Sequence, residues 1–325
     1  MSIQEVVSSP RAMRLGMFVS RYAPEGVIER LALLVAWVVC QAKPAAYRIV
    51  QANLSQVLGP AIDRQTLEHT TRHVFYMLVR SHYDLYRAIQ LPRQELIASI
   101  DFPETAQSIV RNLHSTGKGT LLVFPHLSSF DLGGQVLAAH VAGIQLISLP
   151  NPPPGFQLAN ELRRLSGIEV TPLSPAALRQ AILRLRAGGV VATAIDRPVS
   201  ALPALPACPA CGQARAGSPP LRERYSAGDD PFLFFSRPAR VPSGHVRLAM
   251  KTDAQIVVAC CVRSPQTQRY TLWVESPLDL IQTGDRDEEL QINMRRVLDR
   301  LEAMIRRWPE QWLMFVPVWP ELLKT

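Results

Sequence analysis

His126 and Asp131 are the first residues whose types and spacing suggest chemistry, set in LLVFPHLSSFDLGG (121–134). An apolar run ends at Phe124, Pro125 turns the chain, and the imidazole follows at the lip of the implied strand. Asp131 falls in the first turn of the helix that should come next, within reach of one ring nitrogen. A carboxylate bonded to one nitrogen fixes the tautomer and leaves the other free to take a proton, which makes a general base at neutral pH. An aspartate in a first helical turn also complements the helix's own free N–H groups. The pair alone therefore leaves both catalysis and helix stabilisation open. Ser128 and Ser129 read as helix-capping residues and not as nucleophiles, with a hydroxyl in reach of a reacting group.

The surrounding pattern is one that would hold such a pair at a sheet edge. Strand-like runs GTLLVF (119–124), IQLISL (144–149), IEVTPL (168–173) and VVATAI (190–195) alternate with helix-like segments over 128–143, 156–167 and 174–189. Alternation of this kind implies crossover connections and a largely parallel sheet, whose strand ends and helix starts meet along one edge where ligands bind. Residues 1–92 read as helical, with Pro24 and Pro44 opening helices and apolar residues at helical spacing over 66–89. Beyond 231 come FLFF (232–235), a helix near GHVRLAMKT, strands QIVVACCVR and YTLWVES, and a long helix over 286–307. The fold class is thus α/β, a helical N-terminal segment (1–92) followed by a mostly parallel central sheet flanked by helices (93–325). A flexible insertion is expected at about 198–231, where the sequence is rich in Pro, Ala and Gly and shows no period.

Charge and cysteine usage narrow the function. The 325 residues carry a net charge of +8, from 35 Lys plus Arg against 27 Asp plus Glu. Lysine occurs only at 43, 118, 251 and 324, so the excess is arginine, suited to phosphates and anionic membrane surfaces. The basic residues are scattered, with no arginine-rich arm, which argues against nucleic acid. Five cysteines in no regular framework argue against a disulfide-stapled secreted fold. Cys40, Cys260 and Cys261 read as small hydrophobes. Cys208 and Cys211 make half a zinc ribbon without its second pair, and His69 and His73 lack further ligands, so no metal is expected. No nucleophile elbow, phosphate-binding loop or dinucleotide fingerprint occurs. The run LALLVAWVVC (31–40) follows Glu29 and Arg30 and is too short for an ordinary membrane span. It begins too late for a signal peptide, leaving an interfacial membrane helix or a buried core helix.

HLSSFD, an H-x4-D arrangement between a strand and a helix, resembles the glycerolipid acyltransferase superfamily. More narrowly, the chain resembles the bacterial lipid A lauroyl/myristoyl acyltransferases and the phosphatidylinositol mannoside acyltransferases. ANLSQVLG (52–59), ELRRLSGIEV (161–170), LRAGGVVATAIDRP (185–198), a block over 231–258 and WPEQWLMFVPVWP (308–320) follow in the family's order. The resemblance implies transfer of a fatty acyl group from acyl-CoA or acyl carrier protein to a hydroxyl of a glycolipid or phospholipid. No cofactor is implied beyond that co-substrate. The expected location is the cytoplasmic face of the bacterial inner membrane, peripheral or monotopic.

His126 would be the general base. Asp131 or Asp196, the acidic residue ending the fourth strand, would be its partner. Arg164, before the Gly of RLSG, matches a family arginine and is expected near donor phosphates. Arg197 would pair with Asp196 or bind an acceptor phosphate, and Ser128, Arg237 and Arg240 complete the substrate-binding expectation. Ser236 stands where family members show glycine, which bears on the tightness of that turn. The segment with Cys208 and Cys211 is foreign to the family pattern and is expected to have no catalytic role. A non-catalytic lipid-binding protein of this fold and an acyl thioester hydrolase are the alternatives.

Overall fold

The computed structural model describes residues 10–113, 115–150, 154–198 and 231–323; the expected insertion, with Cys208 and Cys211, lies almost wholly outside the described residues. Among the described residues four helices come first: α1 (Pro10–Tyr22), α2 (Glu25–Ala42), α3 (Ala45–Leu58) and α4 (Arg64–Ala88). Pro24 and Pro44 stand immediately before α2 and α3, where a missing N–H costs no hydrogen bond. Asp63 caps α4 by accepting from the Thr66 N–H at 2.8 Å.

Among the described residues the sheet has seven strands. They are β1 (Ile100–Asp101), β2 (Thr120–Phe124), β3 (Gln145–Ser148), β4 (Glu169–Pro172), β5 (Val190–Ala194), β8 (Gln255–Arg263) and β9 (Tyr270–Val274), in spatial order β1-β9-β8-β2-β5-β3-β4. All neighbours run parallel except β8 and β9. A separate antiparallel hairpin pairs β6 (Phe232–Phe234) with β7 (Arg237–Ala239). Helices α5 (Arg93–Ala98), α6 (Glu104–Asn112), α7 (Phe130–His140), α8 (Pro154–Leu165), α9 (Pro175–Arg186), α10 (Gly244–Thr252) and α11 (Arg286–Arg307) complete the chain. The α/β class and the helical N-terminus expected from the sequence are what the molecule has. The short elements β1, α5 and α6 were not legible, being too brief to show a period.

The central strands are covered on both faces, which explains their unbroken apolar runs. Along β2, Leu121 and Val123 join a core shared with α9, α10 and α11, while Leu122 points to the opposite core beneath α6 and α7. β8 divides the same way, with Cys260 on one face and Cys261 on the other, both free and buried as the apolar context suggested. A third cluster joins α2, α3 and α4 to Leu313 and Phe315 of the C-terminal tail.

Helix α2 has a divided surface. Ile28, Ala32 and Ala36, four apart, are buried on one stripe. Val27, Leu31, Leu34, Trp37 and Val38 are exposed on the other, and Leu15, Phe18 and Tyr22 of α1 are exposed as well. The buried-helix reading of this segment fits one face, while the other face is apolar and exposed. No helix among the described residues is long and apolar enough to cross a membrane.

Candidate active site

Strand register brings His126 and Asp196 together across 70 positions of sequence. β2 and β5 are adjacent and parallel, with Phe124 opposite Ala194, so residues two beyond each strand end emerge side by side. His126 Nδ1 lies 2.6 Å from Asp196 Oδ1, and the His126 backbone N–H donates to Oδ2 at 2.8 Å. The Trp312 indole N–H donates to the same Oδ2 at 2.8 Å. Burial by itself would raise the Asp196 pKa. The His126 imidazole and the three donors outweigh it and hold the carboxyl below its ordinary value. A carboxylate only accepts, so Nδ1 carries the hydrogen, and in the neutral ring the lone pair is on Nε2. Asp196 is fully buried, whereas the His126 side chain is 24% exposed. The imidazole is anchored from within by a buried carboxylate and is itself partly open to solvent.

Of the two acids, Asp196 is the one bonded to His126. Asp131, in the first turn of α7, does not bond His126. Its oxygens accept from Arg163 Nε at 2.6 Å and Nη2 at 3.1 Å, and Arg163 Nη1 donates to Asn160 Oδ1 at 2.7 Å. The physical reason is the turn between them: Ser128 takes a left-handed conformation (φ 44°) that swings α7 away and directs Asp131 toward α8. A non-glycine residue in that region is strained by about 1–3 kcal/mol and persists where its surroundings over-determine it. Here the Ser128 N–H donates to the Gln311 carbonyl at 2.7 Å, and Ser128 bridges to Cys261 on β8.

Ser129 occupies the N-cap position of α7, yet its side chain makes no capping bond, which corrects the sequence expectation. With ψ at 65° it departs from the extended cap geometry that aims the oxygen at the first turn. Both Ser128 and Ser129 hydroxyls are buried without a partner and line the same cleft as His126. Arg197 also lines this cleft. It does not pair with Asp196, its Nε is buried without an acceptor, and burial lowers its pKa against the opposing pull of Asp196. Two unpartnered hydroxyls and a guanidinium thus line the cleft that holds His126.

The cleft encloses about 1180 Å³ open to solvent, and its walls include Met13 of α1, Leu85 of α4, Phe130, Phe156 and Leu162. A second, almost wholly apolar cavity of about 580 Å³ lies between the sheet and α7, lined by Leu122, Leu137, Ile168 and Ala192. Phe130, Asp131 and Arg163 belong to both. Phe130 packs edge-on against His126 at 5.4 Å between ring centroids.

The other expected arginines lie elsewhere. Arg164 is exposed and reaches the Val170 carbonyl at 3.4 Å, while its neighbour Arg163 is the one turned inward. Arg237 donates to Gln56 at 2.7 Å and sits 3.5 Å from Glu321, so it ties the β6–β7 hairpin to α3 and the tail. Arg240 is exposed, and none of these three lines either cavity. The hairpin turn accommodates Ser236 in place of glycine with left-handed Phe235 and Ser236 (φ 50° and 61°).

Sequence reasoning missed Trp312 and Arg163. Trp312 belongs to a block that had been noticed, but nothing in the letters told which tryptophan met the acid. The tail is itself held by Asn53 of ANLSQVLG, which donates to the Met314 and Val316 carbonyls at 3.1 and 2.9 Å and accepts from Val318 N–H. No cluster of three His, Cys, Asp or Glu suited to a metal occurs among the described residues.

A family model described as bacterial lipid A biosynthesis acyltransferase matches residues 12–202 and 229–321. The residues between, with Cys208 and Cys211, fall outside the match. No individual curated protein matches the chain.

Proposed function

The chain belongs to the bacterial lipid A biosynthesis acyltransferase family, and from that premise we propose that it transfers a fatty acyl group from acyl-CoA or acyl carrier protein to the hydroxyl of a glycolipid or phospholipid. The observation that carries this reading is the His126–Asp196 pair at the mouth of an apolar cleft, its Nε2 free of any bond to Asp196. In the proposed reaction Nε2 takes the proton of the acceptor hydroxyl as its oxygen attacks the thioester carbonyl. The C–O bond forms and the carbonyl electrons move onto oxygen. The Ser128 and Ser129 hydroxyls, the first N–H groups of α7 and Arg197 then face that developing charge. Collapse breaks the C–S bond, and the thiolate leaves with the proton held by the His126 imidazolium. The acceptor attacks directly, so no acyl-enzyme is required.

The acyl chain would lie in the apolar cavity beneath α7, which shares Phe130, Asp131 and Arg163 with the cleft. Attachment to the cytoplasmic face of the inner membrane would use the exposed apolar face of α1 and α2. Exposed Arg11, Arg14, Arg21 and Arg30 border that face and complement anionic lipid. The test is transfer of labelled acyl groups from acyl-CoA and acyl carrier protein to a total bacterial lipid extract. His126→Ala is expected to lower transfer by about 10²–10⁴-fold. Undiminished transfer by that variant would sink the reading, and fatty acid release without any lipid alcohol would turn it into the hydrolase.

A further inference from the structure

The cleft holds a second imidazole that the proposed reaction leaves idle. His82, in the C-terminal third of α4, lines it with Tyr86, one helical turn further on. His82 Nδ1 lies 2.7 Å from the Leu78 carbonyl, which only accepts, so Nδ1 carries the hydrogen. Burial lowers the pKa of this imidazole, so the ring is neutral at neutral pH and Nε2 presents a lone pair. Burial also raises the Tyr86 phenol to about 12, so it keeps its hydrogen. Neither Nε2 nor the phenol oxygen is engaged by a described residue, and together they offer one acceptor and one donor on the wall of the cleft.

The position of this polar pair is held firmly. The two rings lie 6.0 Å apart. Gly16 of α1 lets that helix close on Tyr86, since a Cβ there would come within 2.7 Å of the ring. Both rings line the same cleft as His126. Their neighbours on the wall, Met13, Leu78 and Leu85, are apolar. An acyl chain against this wall would strip water from an acceptor and a donor and return nothing. A ligand hydroxyl at this wall can donate to His82 Nε2 or accept from Tyr86.

We propose that His82 and Tyr86 read a second hydroxyl of the acceptor, beside the one that His126 deprotonates, and so select a polyhydroxylated head group over a simple alcohol. This rests on the cleft being the acceptor site, and it is tested by binding, with no acyl transfer needed. A site built to pair a hydroxyl discriminates against the ligand that lacks it, because its own polar groups are then left bare.

The experiment compares the full chain's affinity for dodecyl glucoside, 1-O-dodecylglycerol and dodecanol by calorimetry below micelle-forming concentrations. At least one diol-bearing amphiphile is expected to bind about tenfold tighter than dodecanol. The tighter of the two names the source as sugar or glycerol. His82→Leu is expected to cut that preference by about three- to tenfold, and His82→Gln, which keeps an acceptor, to retain most of it. Tyr86→Phe should give a smaller cut. Equal binding of all three amphiphiles by the wild type overturns the proposal, as does an unchanged preference in a folded His82→Leu protein. Should His82→Leu fail to fold, an unchanged preference in Tyr86→Phe overturns it instead. Equal binding alongside intact thioester-dependent transfer would remove this inference alone; a preserved preference without transfer would remove only the proposed reaction.

Discussion

At the strand edge, Asp196 is enclosed on all sides and takes hydrogens from the His126 ring, the His126 backbone and Trp312. Across the cleft, Asp131 is partly open and faces the Arg163 guanidinium through two bonds. The first carboxylate is aimed at a group that can gain a proton; the second is matched to a cation that never loses one. The difference teaches that sequence proximity to a histidine says little about which acid serves it. Asp131 sits five positions from His126 and bonds a different helix, whereas Asp196 sits 70 positions away and fixes the tautomer.

Exchanging the two acids in turn is the strongest way to break this comparison. Asp196→Asn should lower kcat by about 10²–10⁴-fold, because the amide can present a donor to Nδ1 and reverse the tautomer. Asp131→Asn should cost about tenfold or less, chiefly in KM for the acyl donor. Steady-state kinetics on both variants decides it, and a larger kcat loss at Asp131 would reverse the assignment.

Stability sharpens the contrast. Asp131→Ala leaves the buried Arg163 guanidinium without its counter-charge and is expected to destabilise by about 1–3 kcal/mol. Asp131 is partly open to water, so the full penalty of a buried pair is not reached. Replacing both partners (Asp131→Leu with Arg163→Met) should recover most of that loss in urea melts while His126 keeps its partner.

A smaller effect concerns the cavity beneath α7. Gly134 is half-buried there, and a Cβ at its position would meet only Ile168 Cδ1 at 3.7 Å. Gly134→Val should fit and shorten the preferred acyl chain by about two to three carbons, since valine fills that much close-packed space. Competition between acyl-CoA chain lengths measures it. At Gly133 the same change should fail to fold, because a Cβ would come within 2.7 Å of Cys261 Cβ.

The smallest expected effect is in pH dependence. Asp196 has a folded pKa below its unfolded one. Its contribution to stability is therefore complete above the unfolded carboxylate range, about 3.9, and is lost as pH falls toward the folded value. Thermal melts between about pH 5 and 3 should show a shallower acid decline in Asp196→Asn than in the wild type. An equal slope in both would detach Asp196 from acid stability.

Much of the architecture was legible because it is periodic. Buried parallel strands read as short apolar runs, helices as runs with a 3.6-residue stripe, and Pro24 and Pro44 as helix starts. β1 escaped because two residues carry no period, and the split surface of α2 escaped because buried Ala32 and exposed Leu31 and Leu33 are equally apolar as letters. His126 was legible from its place after a strand and a proline. Arg163 was not, since adjacent arginines on a helix differ only in the 100° that separates their faces, and that rotation sends Arg163 inward and Arg164 to solvent.

Sequence alone determined the order of strands and helices, the histidine at the end of the central strand and the acid at the end of another. These are local facts, carried by the chain's own turn chemistry and hydrophobic period. Which acid meets the histidine, which tryptophan donates to it and which arginine faces the cleft were decided only in three dimensions. β5 inserts between β2 and β3, and that pairing, a choice of long-range register which no neighbouring residue encodes, sets Asp196 beside His126.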